Sequence, residues 1–117
     1  MSSIVCKDLC KTFQQGEEII TGLDNVSIEI DAGDFVCLSG PSGSGKTTLL
    51  NLIAGISIPR RGSVTVADQV VSACSDARRR DFRITRIGFV FQDFELLDYL
   101  SVLDNILHPY RITRALE

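Results

Sequence analysis

The sequence lacks several residue types that mark particular kinds of protein. Of its 117 residues none is tryptophan, and His108 is the one histidine. Cys6 and Cys10 could form half of a zinc site, but no second Cys/His pair stands at zinc spacing. No apolar run approaches the roughly 20 residues of a membrane span, and the first ten residues do not resemble a signal peptide. We therefore expect a cytosolic protein without a zinc centre.

The chain also lacks an excess of positive charge. It has 12 Lys and Arg against 15 Asp and Glu, a net charge of −3. No positive field would recruit nucleic acid, so we expect no nucleic-acid partner. Its 44% hydrophobic and 23% charged residues are typical of one soluble globular domain. In the reducing cytosol we expect its four cysteines to be free thiols.

What the chain does have is a regular succession of predicted strands. The stretches "IVCKDLCKTF", "GEEIITGLDNVSIEI" and "GSVTVADQVV" each predict one strand. Alternation places Val26, Ile28 and Ile30 on one face of the second, and Val64 and Val66 on one side of the third.

Two further runs, residues 35–39 and 87–91, are apolar with almost no alternation. This pattern is typical of parallel strands covered on both faces. Each is followed by a loop and a predicted helix, so the order indicates an α/β fold with an antiparallel β portion at its N-terminus and a parallel central sheet.

Three stretches predict the helical part of the fold. The first, "KTTLLNLIAGI", has a helical apolar stripe at Leu49, Leu52, Ile53 and Ile56 and a predicted end near Gly55. The polar "SDARRRDFRIT" predicts a short helix or a loop. "SVLDNIL" predicts a helix that Pro109 bends or breaks, and its Ser101 and Asp104 stand at capping-box spacing.

A glycine-rich loop joins the first apolar run to the first helix. It fits the pattern G-x-x-x-x-G-K-[ST] without mismatch. Glycines let the backbone wrap a phosphate with its N–H groups inward, and the following helix start adds N–H groups and partial positive charge. The predicted phosphate-binding residues are Gly40, Pro41, Ser42, Gly43, Ser44, Gly45, Lys46, Thr47 and Thr48.

Lys46 and Thr47 predict the charge chemistry of this loop. The Lys46 ammonium can reach the β- and γ-phosphates, and the Thr47 hydroxyl can complete the shell of a Mg²⁺ ion. We interpret the loop as a site for a nucleoside triphosphate. A loop of this kind alone does not separate kinases, GTPases and transport ATPases.

Two longer stretches resemble the ATP-binding cassette (ABC) ATPases. "GPSGSGKTTLLNLIAGISIPRRGSV" is similar to their Walker A region, and "RIGFVFQDFELLDYLSVLDNI" is similar to their Q-loop region. The resemblance covers nearly all of the chain. It is closest to the branch of lipoprotein release, macrolide export and cell-division permeases, although that branch usually has proline where Asp98 stands.

The resemblance implies roles for particular residues. Phe13 occupies the place of the aromatic residue that stacks on adenine, while the alternative is a core residue of an edge strand. Gln92 matches the glutamine that meets Mg²⁺ and positions water, while the alternative is an ordinary loop glutamine. ATP and Mg²⁺ are thus the implied cofactors, with Lys46 and Gln92 catalytic and Thr47 and Gln92 on the metal.

The resemblance also implies partners. The stretch after Gln92 would face a transmembrane permease on the inner side of the membrane, and a second nucleotide-binding subunit would sandwich ATP. Internal packing is the alternative role for the apolar side chains there, which are Phe94, Leu96, Leu97 and Tyr99. A basic cluster, which we interpret as a solvated face rather than a binding patch, comprises Arg78, Arg79, Arg80, Arg83 and Arg86.

Several motifs of the family do not occur in the sequence. It contains no "LSGGQ"-type signature, no Walker B Asp-Glu pair, and no switch histidine, since His108 lies too early. We therefore interpret residues 1–117 as a partial ATP-binding domain, truncated before the helical subdomain, that binds MgATP weakly and hydrolyses it poorly. The alternatives are a non-transport ABC-type ATPase, a small P-loop kinase and a non-catalytic nucleotide-binding fragment.

Overall fold

The computed structural model describes residues 2–90 and 96–113. The strands in these ranges are β1 (Ser2–Gln15), β2 (Glu18–Asp31), β3 (Arg61–Val66) and β4 (Gln69–Val70). They form one antiparallel sheet with the strand order β2-β1-β3-β4. The helices are α1 (Lys46–Ile53), α2 (Asp76–Arg86) and α3 (Val102–Thr113), with a 3-10 turn at Val71–Ala73. No helix in the described ranges has the length and apolar character needed to cross a bilayer.

The hairpin of β1 and β2 confirms the first two predicted strands. The two strands pair in antiparallel register from one end to the other, with several bulges. The predicted alternation in β2 is confirmed, since Val26 and Ile28 pack against the core while Ser27 and Glu29 are exposed. The face of the hairpin that carries Val26 and Ile28 is therefore apolar and can pack against a helix.

The core lies where helix α1 covers the sheet. Leu49 and Leu52 are buried as the predicted stripe requires, and Ile53 packs beside them. Ile56 lies beyond the helix end and is exposed. Burial raises the pKa of the Cys6 thiol, which keeps it protonated, and all four cysteines are free. The buried residues of this cluster are Cys6, Leu9, Leu23, Leu49, Leu52 and Val64.

The third predicted strand is divided in the structure. Ala67 and Asp68 both take positive φ, 47° and 69°, and form a two-residue turn between β3 and β4. Such a turn matches the twist of a hairpin and reverses the chain. Val64 and Val66 nevertheless share the core-facing side, as predicted.

The prediction of two interior strands is wrong for the described residues. Residues 35–39 and 87–90 belong to no strand pair there, and residue 91 lies outside the description. Phe35 is 100% exposed and Val90 is 87% exposed. An apolar run becomes a strand only where a neighbour takes up its backbone hydrogen bonds, and the described ranges supply none. The antiparallel portion of the predicted fold is present, whereas a parallel pair is not found in these ranges.

Helix α2 forms over the polar stretch, and its arginines do not all behave as predicted. Arg78, Arg80 and Arg86 are exposed, consistent with a solvated face. Arg79 is only 8% exposed. Its guanidinium is ion-paired with Asp76 and donates to the Cys74 carbonyl at 2.6 Å. A guanidinium can be buried when its donors are satisfied in this way.

Helix α3 begins as predicted. The Ser101 hydroxyl accepts a hydrogen bond from the Asp104 N–H at 3.1 Å. Hydrogen bonds from Ser101 and Arg111 hold the pKa of the Asp104 carboxyl below its usual value. The helix continues through Pro109 to Thr113, so of the two effects expected of this proline, breaking is excluded.

Candidate nucleotide-binding site

The glycine-rich loop leads directly into the first turn of α1. Gly45 is the N-cap and has φ +97°, a left-handed conformation that non-glycine residues adopt only with strain. A Cβ at this position would lie 2.7 Å from the carbonyl oxygen of Gly22 on β2. Glycine is required here twice, by the turn and by the close approach of loop to sheet.

Lys46 is the first residue of α1, and its side chain folds back over the loop. Its Nζ donates to the carbonyl oxygens of Gly40 and, at 2.8 Å, Pro41. It also lies 3.2 Å from the Ser44 hydroxyl. A Ser44 N–H to Pro41 carbonyl bond of 3.2 Å closes the same turn. The loop therefore holds an ammonium group in its centre, among exposed oxygens that an anion can replace.

A cavity of about 370 Å³ lies between the loop and the β1–β2 hairpin. Its volume is within the range typical of small-molecule sites. Ser42, Gly43 and Gly45 line it from the loop, and the first turn of α1 adds Lys46, Thr47 and Thr48. Across from them the hairpin contributes Phe13, Ile20, Thr21 and Gly22. The cavity thus joins a polar end, rich in backbone and hydroxyl groups, to an aromatic end.

Phe13 lies at the aromatic end of the cavity and is not a core residue. It is 43% exposed and pairs with Ile20 across the hairpin. The Lys11 ammonium lies 5.6 Å from the centroid of its ring and donates to the Ile58 carbonyl at 2.8 Å. The ring is held at the cavity wall with part of its surface open, an arrangement in which an aromatic face can stack on a planar ligand.

The structure brings together most, but not all, of the predicted site residues. Phe13, Ser42, Gly43, Gly45, Lys46, Thr47 and Thr48 share the cavity, while Gly40, Pro41 and Ser44 surround the Lys46 ammonium. Gln92 and Phe94 lie outside the described residues. Sequence reasoning missed Ile20, Thr21 and Gly22. Counting across the turn from Phe13 would have placed them opposite it, but only once the hairpin register was known.

A larger cleft of about 530 Å³ lies on another side of α1. Ile28, Phe35, Val36, Leu50 and Ile53 line much of it. Aliphatic and aromatic walls offer few groups that could bind phosphate, although Lys46 and Thr47 also reach its edge. Size alone therefore does not identify the site, and the smaller cavity has the chemistry that the loop requires.

The sequence profile of the ABC transporter family matches residues 23–117. The chain belongs to this family. The match includes the glycine-rich loop and the stretch similar to the Q-loop region, so the resemblance found in the sequence is confirmed.

Individual relatives agree with this assignment. An uncharacterized ABC transporter ATP-binding protein of Methanocaldococcus jannaschii, MJ0796, is 42% identical over 91% of this chain. The lipoprotein-releasing system ATP-binding protein LolD of Pseudomonas fluorescens is 38% identical over 94% of it, and the macrolide export ATP-binding/permease protein MacB of Syntrophobacter fumaroxidans is 38% identical over 93%. These names confirm the similarity to the lipoprotein-release and macrolide-export branch.

A solved structure of MJ0796 confirms the fold class. It superposes with a TM-score of 0.86 at 39% identity and covers 93% of this chain. That structure is described as a dimeric, post-hydrolysis state of an ATP-binding cassette bound to ADP and Pi. The present chain spans 47% of the solved chain, 45% of the MJ0796 sequence, 48% of LolD and 15% of MacB.

Proposed function

We propose that this chain is the ATP-binding part of an ABC transporter subunit, in which ATP binding and hydrolysis drive a membrane permease. The observation that carries the proposal is the cavity that joins Phe13 to the glycine-rich loop with Lys46 at its centre. Membership of the ABC transporter family supports it. Residues 1–117 would then be a partial nucleotide-binding domain.

Lys46 and the loop backbone would bind the phosphates in this proposal. The ammonium group can exchange its hydrogen bonds to the Pro41 carbonyl and Ser44 hydroxyl for bonds to phosphate oxygens, which carry full negative charge. The helix start adds N–H donors and partial positive charge, and no acidic side chain in the first turn of α1 opposes an anion.

Phe13 would stack on the base at the other end of the cavity. Its exposed ring surface can bind adenine without reading the base edges, so selectivity for adenine over other purines would be modest.

Thr47 fits the requirements of a Mg²⁺ ligand. Mg²⁺ takes oxygen ligands, retains several waters and accepts one hydroxyl together with phosphate oxygens. Thr47 lines the cavity one residue after Lys46, which supports this role. A bound Mg²⁺ would neutralise phosphate charge, and Gln92 is proposed as its second protein contact.

Hydrolysis by residues 1–117 alone is expected to be poor. Phosphoryl transfer to water needs a group that orients the water as well as charge stabilisation. Lys46 and the loop supply the charge stabilisation, but the sequence has no apolar run ending in Asp-Glu that could supply a carboxylate.

A permease and a second nucleotide-binding subunit are the proposed partners, at the inner face of the membrane. The names of MacB, which joins ATP-binding and permease functions, and of LolD support a permease partner. The solved MJ0796 cassette is a dimer. Leu96 and Tyr99, 65% and 82% exposed, are available for such contacts, while Leu97 is partly buried.

The proposal is tested by titrating the isotope-labelled chain with MgATP. We expect the amide resonances of residues 43–48 to shift, and Lys46→Ala to weaken binding about tenfold to a hundredfold, as expected for lost charged hydrogen bonds. Lys7→Ala, at an exposed position on β1, is the matched control and should bind normally. Unmoved amide resonances in a folded sample would contradict the proposal.

A further inference from the structure

We propose that Gly22 is a positioning residue that sets the orientation of the Phe13 ring at the base end of the cavity. This inference rests on the proposed nucleotide-binding function and adds a residue that neither the loop motif nor the family resemblance singled out. Its basis is the space around the Gly22 Cα, which is occupied by the ring itself.

The Phe13 ring lies where a side chain of residue 22 would be. A Cβ on Gly22 would lie 2.7 Å from Cε2 and 3.3 Å from Cδ2 of the ring. It would also meet Cγ2 of Thr48 at 3.4 Å, which is an ordinary van der Waals contact. The hydrogen atom of glycine therefore lets the ring lie against the β2 backbone, next to the first turn of α1.

The backbone itself does not require glycine at position 22. Gly22 is not among the residues with positive φ, so an alanine could adopt its conformation without strain. This separates Gly22 from Gly45, where the turn demands glycine. Any effect of a methyl group at position 22 must come from what the methyl touches.

We expect the Phe13 ring, rather than the β2 backbone, to move when a methyl group is added at residue 22. The ring is the mobile end of a side chain that is 43% exposed, so rotation about its χ angles moves it away from β2 at little cost. The Lys11 ammonium, 5.6 Å from the ring centroid, also contacts the ring. A methyl on residue 22 should therefore displace the ring rather than unfold the hairpin.

The phosphate end should be little affected by this change, since the contact with Cγ2 of Thr48 is at an ordinary distance. The Gly22 group that faces Gly45 is its backbone carbonyl, which a side chain at position 22 does not alter. Gly22 therefore contacts both ends of the cavity through different atoms: its carbonyl meets the loop, and its Cα hydrogen admits the aromatic ring. Substitution tests the second contact without touching the first.

The experiment compares MgATP with magnesium tripolyphosphate, which has the phosphates but no base. In Gly22→Ala we expect MgATP affinity to fall about tenfold, as for partial loss of one base–aromatic stack, while tripolyphosphate affinity stays within about twofold. Gly88→Ala is the matched control, because a Cβ there has no neighbour within 4 Å among the described residues. Thermal unfolding checks that each variant is folded.

A second background shows whether the ring carries the effect. In Phe13→Ala the further change Gly22→Ala should have no effect on MgATP affinity, since no ring remains to be displaced. Without any nucleotide, the ¹H–¹³C ring resonances of Phe13 should also shift in Gly22→Ala.

Unchanged ring resonances in Gly22→Ala would overturn the inference whatever the nucleotide does. An equal loss of MgATP and tripolyphosphate affinity would overturn it too, because Gly22 would then act through the loop. If the unmodified chain binds tripolyphosphate but Phe13→Ala leaves MgATP affinity unchanged, Phe13 does not bind the base. The inference about Gly22 is then overturned, while the proposed phosphate site is retained. Failure of the unmodified chain to bind either compound would instead overturn the proposed function.

Discussion

The two ends of helix α1 are built in opposite ways. At its N-terminus the N-cap is Gly45, which provides no side-chain cap, and no acidic residue stands in the first turn. At its C-terminus the Ala54 N–H donates to the Leu50 carbonyl and the Gly55 N–H donates to the Leu52 carbonyl. Beyond it, the guanidinium of Arg83 on α2 donates to the Gly55 carbonyl at 2.6 Å.

This difference separates binding from stability within one eight-residue helix. At the N-terminus, donors and partial positive charge face a cavity, where an anion can use them. At the C-terminus, acceptors and partial negative charge meet the chain's own N–H groups and an arginine. The first arrangement is suited to a ligand, and the second attaches the helix to the rest of the fold.

The other two α-helices in the described ranges, α2 and α3, each have a side-chain cap at the N-terminus, which α1 lacks. The Ser75 hydroxyl accepts from the Arg78 N–H at 3.3 Å, and the Ser101 hydroxyl accepts from the Asp104 N–H at 3.1 Å. Serine is a strongly preferred N-cap because it satisfies one of the unpaired donors. Glycine in the same position on α1 leaves those donors to the cavity.

The largest expected effect comes from a substitution at the N-terminus of α1 that should reduce both stability and binding. Gly45→Ala should lower the free energy of unfolding by about 2 kcal/mol or more, since a left-handed alanine costs roughly 1–2 kcal/mol and its Cβ would press on the Gly22 carbonyl. Phosphate binding should weaken as well. Urea unfolding measures the first effect and titration with MgATP the second.

Gly43→Ala is the matched control for this change. Gly43 also has positive φ, +81°, but a Cβ there has no neighbour within 4 Å among the described residues. The free energy of unfolding of Gly43→Ala should therefore fall only by the cost of placing alanine in a left-handed conformation. Equal losses for the two variants would show that the contact between loop and sheet contributes nothing.

The next effect sharpens the comparison at the opposite end. Arg83→Ala should lower the free energy of unfolding by about 1.5 kcal/mol, the value expected for a hydrogen bond from a charged group. MgATP affinity should be unchanged. Arg80→Ala, on the exposed side of the same helix, should stay within about 0.5 kcal/mol of the unmodified chain. A loss of nucleotide affinity in Arg83→Ala would mean that the two ends of α1 are coupled.

The smallest expected effect concerns the N-terminus of α2, which Ser75 caps. Ser75→Ala should cost about 1 kcal/mol of stability by removing the cap of α2, again without changing nucleotide affinity. Ser75→Asp should restore most of the loss, because a carboxylate caps the same donors. Denaturant titration of the three proteins would decide, and an unchanged midpoint in Ser75→Ala would contradict the role of this cap.

Predictions from the sequence succeeded where the signal is local. Alternation placed Val26 and Ile28 on the core side of β2, and the spacing of Leu49 and Leu52 placed both on the buried face of α1. The glycine-rich loop was recognisable because each of its residue types has a function that depends only on near neighbours. Ser101 was a local signal of the same kind.

Predictions failed where the outcome depends on distant partners. Residues 35–39 have the composition of an interior strand, but the described ranges contain no strand that pairs with them. Arg79 was expected in solvent, yet its side chain lies beside Gly55, beyond the end of α1. Its guanidinium can be buried there because Cys74 and Asp76, close to it in the sequence, satisfy its donors. The packing of Arg79 beside Gly55 cannot be assigned from the composition of the stretch alone.

The sequence by itself determined the loop, the amphipathic strands and the apolar stripe of α1, because turn chemistry and periodicity act over a few residues. Only the tertiary structure decided that Phe13 faces this loop, since its position depends on the register of a hairpin and on the packing of α1 against the sheet. It also decided the contacts of Gly22 and Arg83. Their neighbours, Phe13 and Gly55, become neighbours only after the chain folds.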